Sequence, residues 1–367
     1  MDITRDYDRT LILEDGEEYF GYGFGGNAER VCELVFNTGM VAYQEILSDS
    51  SYTDQAVLMT YPLIGGYGIT EEDYEMPTPT LGALIVGEYN DRPSNFRCVK
   101  TLAEVLEENN IPGIEGFDTR RLCRSIRDKG SRRVLITGID TTVEEGLEII
   151  KNTPVSHDAV SRVSCKKRWY GRTPDHLYNV VVIDCGVRPS FVRGLRDRGC
   201  NVTVVPYNTD AKTVLSMKPD GVFISNGPGD PKDVPEVVET IKALRGRLPI
   251  FGVDLGHLLI ALAYGASVYK LPFGHRGGNH PVKNLQDGKI ESVTQSHSYT
   301  VCADSVAKTH LTVTHINLLD NTVEGLACVS DRVFSVQYQP NSAPGKHDGS
   351  YLYDQFLAWM KEEKTNA

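Results

Sequence analysis

The chain has 367 residues, long enough for two domains with separate hydrophobic cores. Its composition, 40% hydrophobic and 24% charged, is that of an ordinary globular protein and not of a low-complexity one. A formal net charge of −11 argues against nucleic-acid binding by the chain as a whole.

The opening, "MDITRDYDRTLILEDG", has no apolar core of signal-peptide length, and no segment is apolar for long enough to cross a bilayer. "TLILEDGEEYFGYGFG" reads as a hairpin turning at Asp15 and Gly16. "TLAEVLEENNIPG" reads as a short helix ended by Asn110 and Pro112. "DTRRLCRSIRDKG" reads as a second, with Asp118 or Thr119 capping its start and Gly130 its end. Residues 1–150 are therefore expected to form one domain of mixed α/β character. Segment 151–178 is polar, aperiodic and carries prolines towards both ends, which predicts a linker.

From Asn179 to the end the texture is α/β. "NVVVIDCG", "NVTVVPYN", "DGVFISNGPG" and "LPIFGVDLG" are β-branched apolar runs, separated by helical stretches such as "SFVRGLRDRG" and "PEVVETIKALRG". That alternation predicts a largely parallel central sheet covered on both faces over 179–367. Sites in such sheets form beyond the carboxyl ends of the strands. Later strands are expected in "KIESVTQSHSYTV" and "RVFSVQYQP". The eight cysteines show no CxxC pairing and several sit inside strand-like runs, so they read as reduced structural residues, which fits a cytoplasmic protein. The nine histidines show no metal-ligand spacing, and no metal is expected. His310 and His315 fall in a strand-like stretch at odd spacing, which sends them to opposite faces.

Two strand ends carry the chemistry. Gly227, Pro228 and Gly229 can turn backbone N–H groups towards a ligand, as an oxyanion hole requires, or can simply end a strand. "GVDLGH" has the GxDxG shape of a nucleophile elbow, with Asp254 where such turns carry Ser or Cys. Asp is also a favoured helix N-cap, and a carboxylate stabilised by the helix dipole is a poor general base. Near the end, Gln339 and Asn341 flank a proline, and neither amide accepts a proton at neutral pH. His347 and Asp348 could imitate a base and its orienter, although adjacent residues rarely converge on one point.

Taken together, the blocks "LVFNTGMVAYQEILSDSSYTDQ", "MTYPLIGGYG", "PSNFR", "IPGIEGFDTRRLCRSIRDKG", "FISNGPGDP", "GHRGGNHPVKN" and "APGKHD" resemble the small chain of carbamoyl-phosphate synthetase, over essentially the whole length. The resemblance implies a small-chain N-terminal domain that docks on a large synthetase subunit, and a class I glutamine amidotransferase-like domain that hydrolyses glutamine. It implies a place in arginine and pyrimidine biosynthesis. It implies no cofactor for the chain itself, the ATP being used by the large subunit.

The same resemblance exposes the departures. The family nucleophile, a Cys in "CLGHQ", is Asp254 here; the base and its orienter in "HPE" are Gln339 and Asn341. The family's glutamine-binding Gln is Leu258, and its "NHG" is "SHS", so that Ser296 and Ser298 stand for Asn and Gly. Ser51, Gly227, Gly229, Leu255, His257 and Tyr299 keep the family pattern. A thiolate activated by helix dipole and His is the family's nucleophile, and nothing here replaces it. The expectation is therefore a pseudo-glutaminase that still joins a large subunit. A second reading is a small-molecule binding or sensing module in which Asp254 accepts a cationic or amino group; new chemistry on Asp254 is a third.

Overall fold

In the computed structural model, which describes residues 6–341 and 349–366, the chain divides into two units, Met1–Ser156 and His157–Ala367. The first is built on strands β1 (Arg9–Leu13), β2 (Glu18–Gly25), β3 (Arg30–Asn37), β4 (Gln55–Met59), β5 (Leu63–Ile64), β6 (Ala83–Ile85), β7 (Glu88–Tyr89), β8 (Pro112–Glu115) and β9 (Arg133–Gly138). Seven of them close into a barrel in the order β1-β2-β8-β6-β4-β3-β9, and β5 pairs with β7 separately. Closure removes the free strand edges that an open sheet would leave. The predicted hairpin is β1 paired antiparallel with β2, turned by Gly16 at φ 85°. The helix Leu102–Glu108 starts at a capping box of Thr101 and Glu104. The helix Thr119–Lys129 starts at Asp118, whose carboxylate accepts from the Arg121 N–H at 2.9 Å, and stops at Gly130.

The second unit holds one sheet made of β10 (Trp169–Gly171), β11 (Tyr178–Asp184), β12 (Cys200–Pro206), β13 (Gly221–Ile224), β14 (Ile250–Val253), β15 (Val268–Asn284), β16 (Ile290–Val301), β17 (Thr312–Asn317), β18 (Val323–Cys328) and β19 (Val333–Val336). Their order is β10-β12-β11-β13-β14-β19-β18-β16-β15-β17. The central run β12-β11-β13-β14-β19 is parallel throughout, and the flanking strands pair antiparallel. Side-chain alternation explains why both faces are covered. Val181, Ile183, Val222 and Ile224 join a core with the helices Pro235–Leu244 and Leu255–Ala263. Val180, Val182, Phe223 and Phe251 join another with Pro189–Arg196 and Tyr351–Asn366.

Three sequence expectations need correction. The stretch 151–178 is no bare linker: it carries the helix Ala159–Val163, and β10, which extends the sheet antiparallel to β12. Both are too short for periodicity to reveal. "VYKLPFGHRGGNHPVKN", which no strand was expected to fill, is β15, a bulged strand with register shifts at Lys270/His275 and Gly277/His280. Only His315 of the pair His310 and His315 lies in a strand, because β17 begins at Thr312. All eight cysteines are free thiols. Among the described residues no helix is long and apolar enough to cross a membrane.

Candidate functional site at the strand–helix elbow

β14 runs into the helix Leu255–Ala263 through Asp254, whose backbone sits at φ 55° and ψ −111°. Side chains with a Cβ rarely occupy that region, and it persists only where the surroundings over-determine it. Here they do: the Asp254 N–H donates to the Val336 carbonyl at 2.9 Å, and the Gly256 N–H to the Ser225 carbonyl at 3.1 Å. The turn is thereby stitched to the carboxyl ends of β19 and β13, its two neighbours. A Cβ on Gly256 would lie 2.3 Å from the Ile224 carbonyl oxygen, so the helix can start this close only with glycine there.

The Asp254 side chain does not cap the helix, contrary to the cap reading. N-cap side chains reach the first amides from β-region backbone, and Asp254 is not in that region. Instead its Oδ1 accepts from Gln337 Nε2 at 3.2 Å, and the residue is 3% exposed.

Beyond β19, the Gln339 backbone N–H donates to the Thr294 carbonyl at 2.9 Å, and its side chain is engaged at both ends. Arg188 Nη1 donates to Gln339 Oε1, while Gln339 Nε2 donates to Ser296 Oγ at 2.7 Å. Asn341 is exposed, and its Nδ2 donates to the Ser190 carbonyl at 2.7 Å. His347 and Asp348 lie outside the described residues.

β11 contributes the third side of the site. The Asp184 carboxylate accepts from the N–H groups of Gly186 and Val187 at 2.8 and 2.7 Å, and so folds the turn that delivers Arg188. The Arg188 N–H donates to Asn226 Oδ1 at 3.2 Å, and its guanidinium lies 5.8 Å from the Phe191 ring centroid. Gly227 passes so near this turn that a Cβ would lie 2.3 Å from the Cys185 carbonyl oxygen and 2.8 Å from Leu255 Cδ2. Gly229 holds φ 87°.

The remaining predicted residues fall in several surroundings. Leu258 is buried in the apolar core of its helix's face. Ser298 Oγ accepts from Arg276 Nη2 at 2.5 Å, and the Tyr299 carbonyl lies 2.8 Å from His297 Nδ1. His257 is fully buried, with Nδ1 2.9 Å from Ser335 Oγ, and burial pushes its imidazole down to about 3, so it stays neutral. Ser51 belongs to the first unit, in the turn Ser50–Tyr52, where its N–H donates to Asp49 Oδ1 at 3.0 Å. Sequence reasoning missed Arg188, Gln337 and Arg276. Arg188 had a signal, since it follows the carboxyl end of β11, where parallel sheets place their sites.

The unit is a mostly parallel sheet with a strained elbow at one strand end and a glycine turn at the next, and residues 181–359 match the family glutamine amidotransferase class-I. Residues 11–136 match the carbamoyl-phosphate synthase small chain, CPSase domain. The chain is 48% identical to a carbamoyl phosphate synthase small chain of Staphylococcus haemolyticus, across 97% of each. It is also 48% identical to one of Bacillus caldolyticus, across 96% of this chain and 97% of that one. A crystal structure of a glutamine amidotransferase from Thermotoga maritima is similar over 52% of this chain and 85% of its own, at 15% identity and a TM-score of 0.36. The chain belongs to the carbamoyl phosphate synthase small-chain family.

Proposed function

We propose that this chain is a small chain without glutaminase activity, serving as a structural or regulatory partner of a large synthetase subunit that uses free ammonia. The observation that carries this reading is the engagement of position 339. An amide held by Arg188 at one end and Ser296 at the other neither takes nor returns a proton at neutral pH. Position 254 fails for a separate reason. Attack of a carboxylate on a carboxamide gives a tetrahedral adduct that expels the carboxylate far more readily than ammonia, so the reaction runs backwards. Leu258 places hydrocarbon where the family pattern has a hydrogen-bonding amide, a loss that weakens selection for glutamine.

The test has two arms. Alone, the chain is expected to release no glutamate from glutamine above a protein-free blank at neutral pH. With a large subunit from a relative, it is expected to associate, and carbamoyl phosphate should form from ammonium but not from glutamine. Glutamate release by the unaltered chain would overturn the inactive reading, and failure to associate would overturn the partnership. The triple variant Asp254→Cys, Gln339→His, Asn341→Glu is expected to gain measurable release if the scaffold is intact.

A further inference from the structure

The antiparallel half of the second unit's sheet gathers three side chains that no spacing in the sequence announced. His275 lies on β15, His297 on β16 and Glu324 on β18, and each is more than nine-tenths buried. One nitrogen from each ring and one carboxylate oxygen all lie within 4.8 Å of one another. We propose that His275, His297 and Glu324 bind a divalent transition-metal ion of the zinc class.

The hydrogen bonds around the cluster orient it inwards. His275 Nε2 lies 2.8 Å from Asp320 Oδ2 and donates to it, which turns Nδ1 towards Glu324; an ion bound there displaces the proton that Nδ1 carries when the ring is charged. That Nδ1 has no hydrogen-bond partner and stands 3.7 Å from Glu324 Oε1. Ligands bonded at about 2.1 Å in a tetrahedron are about 3.4 Å apart, so this pair needs little movement to share an ion. His297 Nδ1 lies 2.8 Å from the Tyr299 carbonyl, an acceptor only, which leaves the lone pair on Nε2. Gln295 Oε1 is 3.2 Å from that Nε2, so two acceptors face each other unless the amide turns. Glu324 Oε2 is buried with no hydrogen-bond partner.

Metal-bound histidines characteristically donate their other ring N–H to a carboxylate or a backbone carbonyl, and one of each is found here. Two imidazoles and a carboxylate suit zinc and its neighbours better than calcium or magnesium, which prefer all-oxygen sets. A fourth ligand is available from water or from His280, whose ring centroid is 5.3 Å from that of His275 and whose two ring nitrogens have no partner.

The test uses the full chain, free of any histidine tag, stripped with chelator and dialysed. Titration with Co²⁺ is expected to give visible d–d absorption saturating at one equivalent, and Zn²⁺ should bleach it. Elemental analysis should then find one zinc per chain. Glu324→Gln keeps the shape of the side chain and is expected to weaken Co²⁺ binding by at least about 100-fold. Asp320→Asn, which loosens only the orientation of His275, should weaken it by about 10- to 100-fold. Absence of saturable uptake by the unaltered chain, or uptake unchanged in both variants, would overturn the site. The cluster would then be a buried ion pair of His275 with Asp320 and Glu324. Should Glu324→Gln fail to fold, the unaltered chain and Asp320→Asn still decide the matter.

Discussion

At the scale of single residues, position 258 is part of the apolar core. Leu258 is 3% exposed and packs among the apolar side chains of its face of the sheet. Returning it to the family residue, Leu258→Gln, would bury an amide among hydrocarbon. Unsatisfied, that amide costs about 1–3 kcal/mol, and the lost apolar burial adds about 1 kcal/mol or more. The variant is therefore expected to lose about 2–4 kcal/mol, seen as a lower urea midpoint at unchanged slope. A loss under about 0.5 kcal/mol would mean that position 258 still opens onto solvent or onto polar partners. For the same reason, restoration of the three triad positions belongs in a background that keeps Leu258.

At the scale of elements, the elbow is held by its backbone. The strained backbone of Asp254, the close approach of Gly256 to β13 and the stitching to β19 together fix one buried side chain at the carboxyl end of the sheet. Such a device stores strain that a mere connection would not need. Gly256→Ala separates two effects of opposite sign. Alanine in a helix interior is ordinarily about 1 kcal/mol better than glycine. Here the new methyl would meet the Ile224 carbonyl oxygen at 2.3 Å, a backbone atom held in a parallel sheet. Overpacking of that kind costs about 1–3 kcal/mol or more, so the clash outweighs the propensity. The expected result is a net fall in melting temperature of several degrees, and an unchanged or raised value would show that the elbow yields easily.

At the scale of the whole molecule, what the sequence discloses divides along physical lines. The parallel core of the second unit is legible because β-branched runs bounded by turns leave a periodic trace, and the elbow because two glycines bracket its turn. β15 is not legible, since its glycines and bulges break the alternation that marks a strand. The Arg188–Gln339–Ser296 chain and the histidine–glutamate cluster are not legible either, because their members are far apart in sequence and only the folded sheet brings them together. The same folding also sets the response to acid. His257 and His315 are buried as neutral rings, with desolvation pushing them down to about 3 and about 4. An unfolded histidine protonates near 6.5. Between that value and the folded ones, the unfolded state binds more protons, so stability falls as pH falls. Each such ring costs about 1.4 kcal/mol per pH unit through this window. His275, pushed up to about 9 beside Asp320 and Glu324, has the opposite sign, but its contribution changes mainly above pH 6.5. Urea denaturation at pH 6.5, 5.75 and 5.0 is therefore expected to show stability dropping, with His257→Gln flattening the slope by up to about one proton. A profile level across that interval would mean that these imidazoles reach solvent in the folded chain.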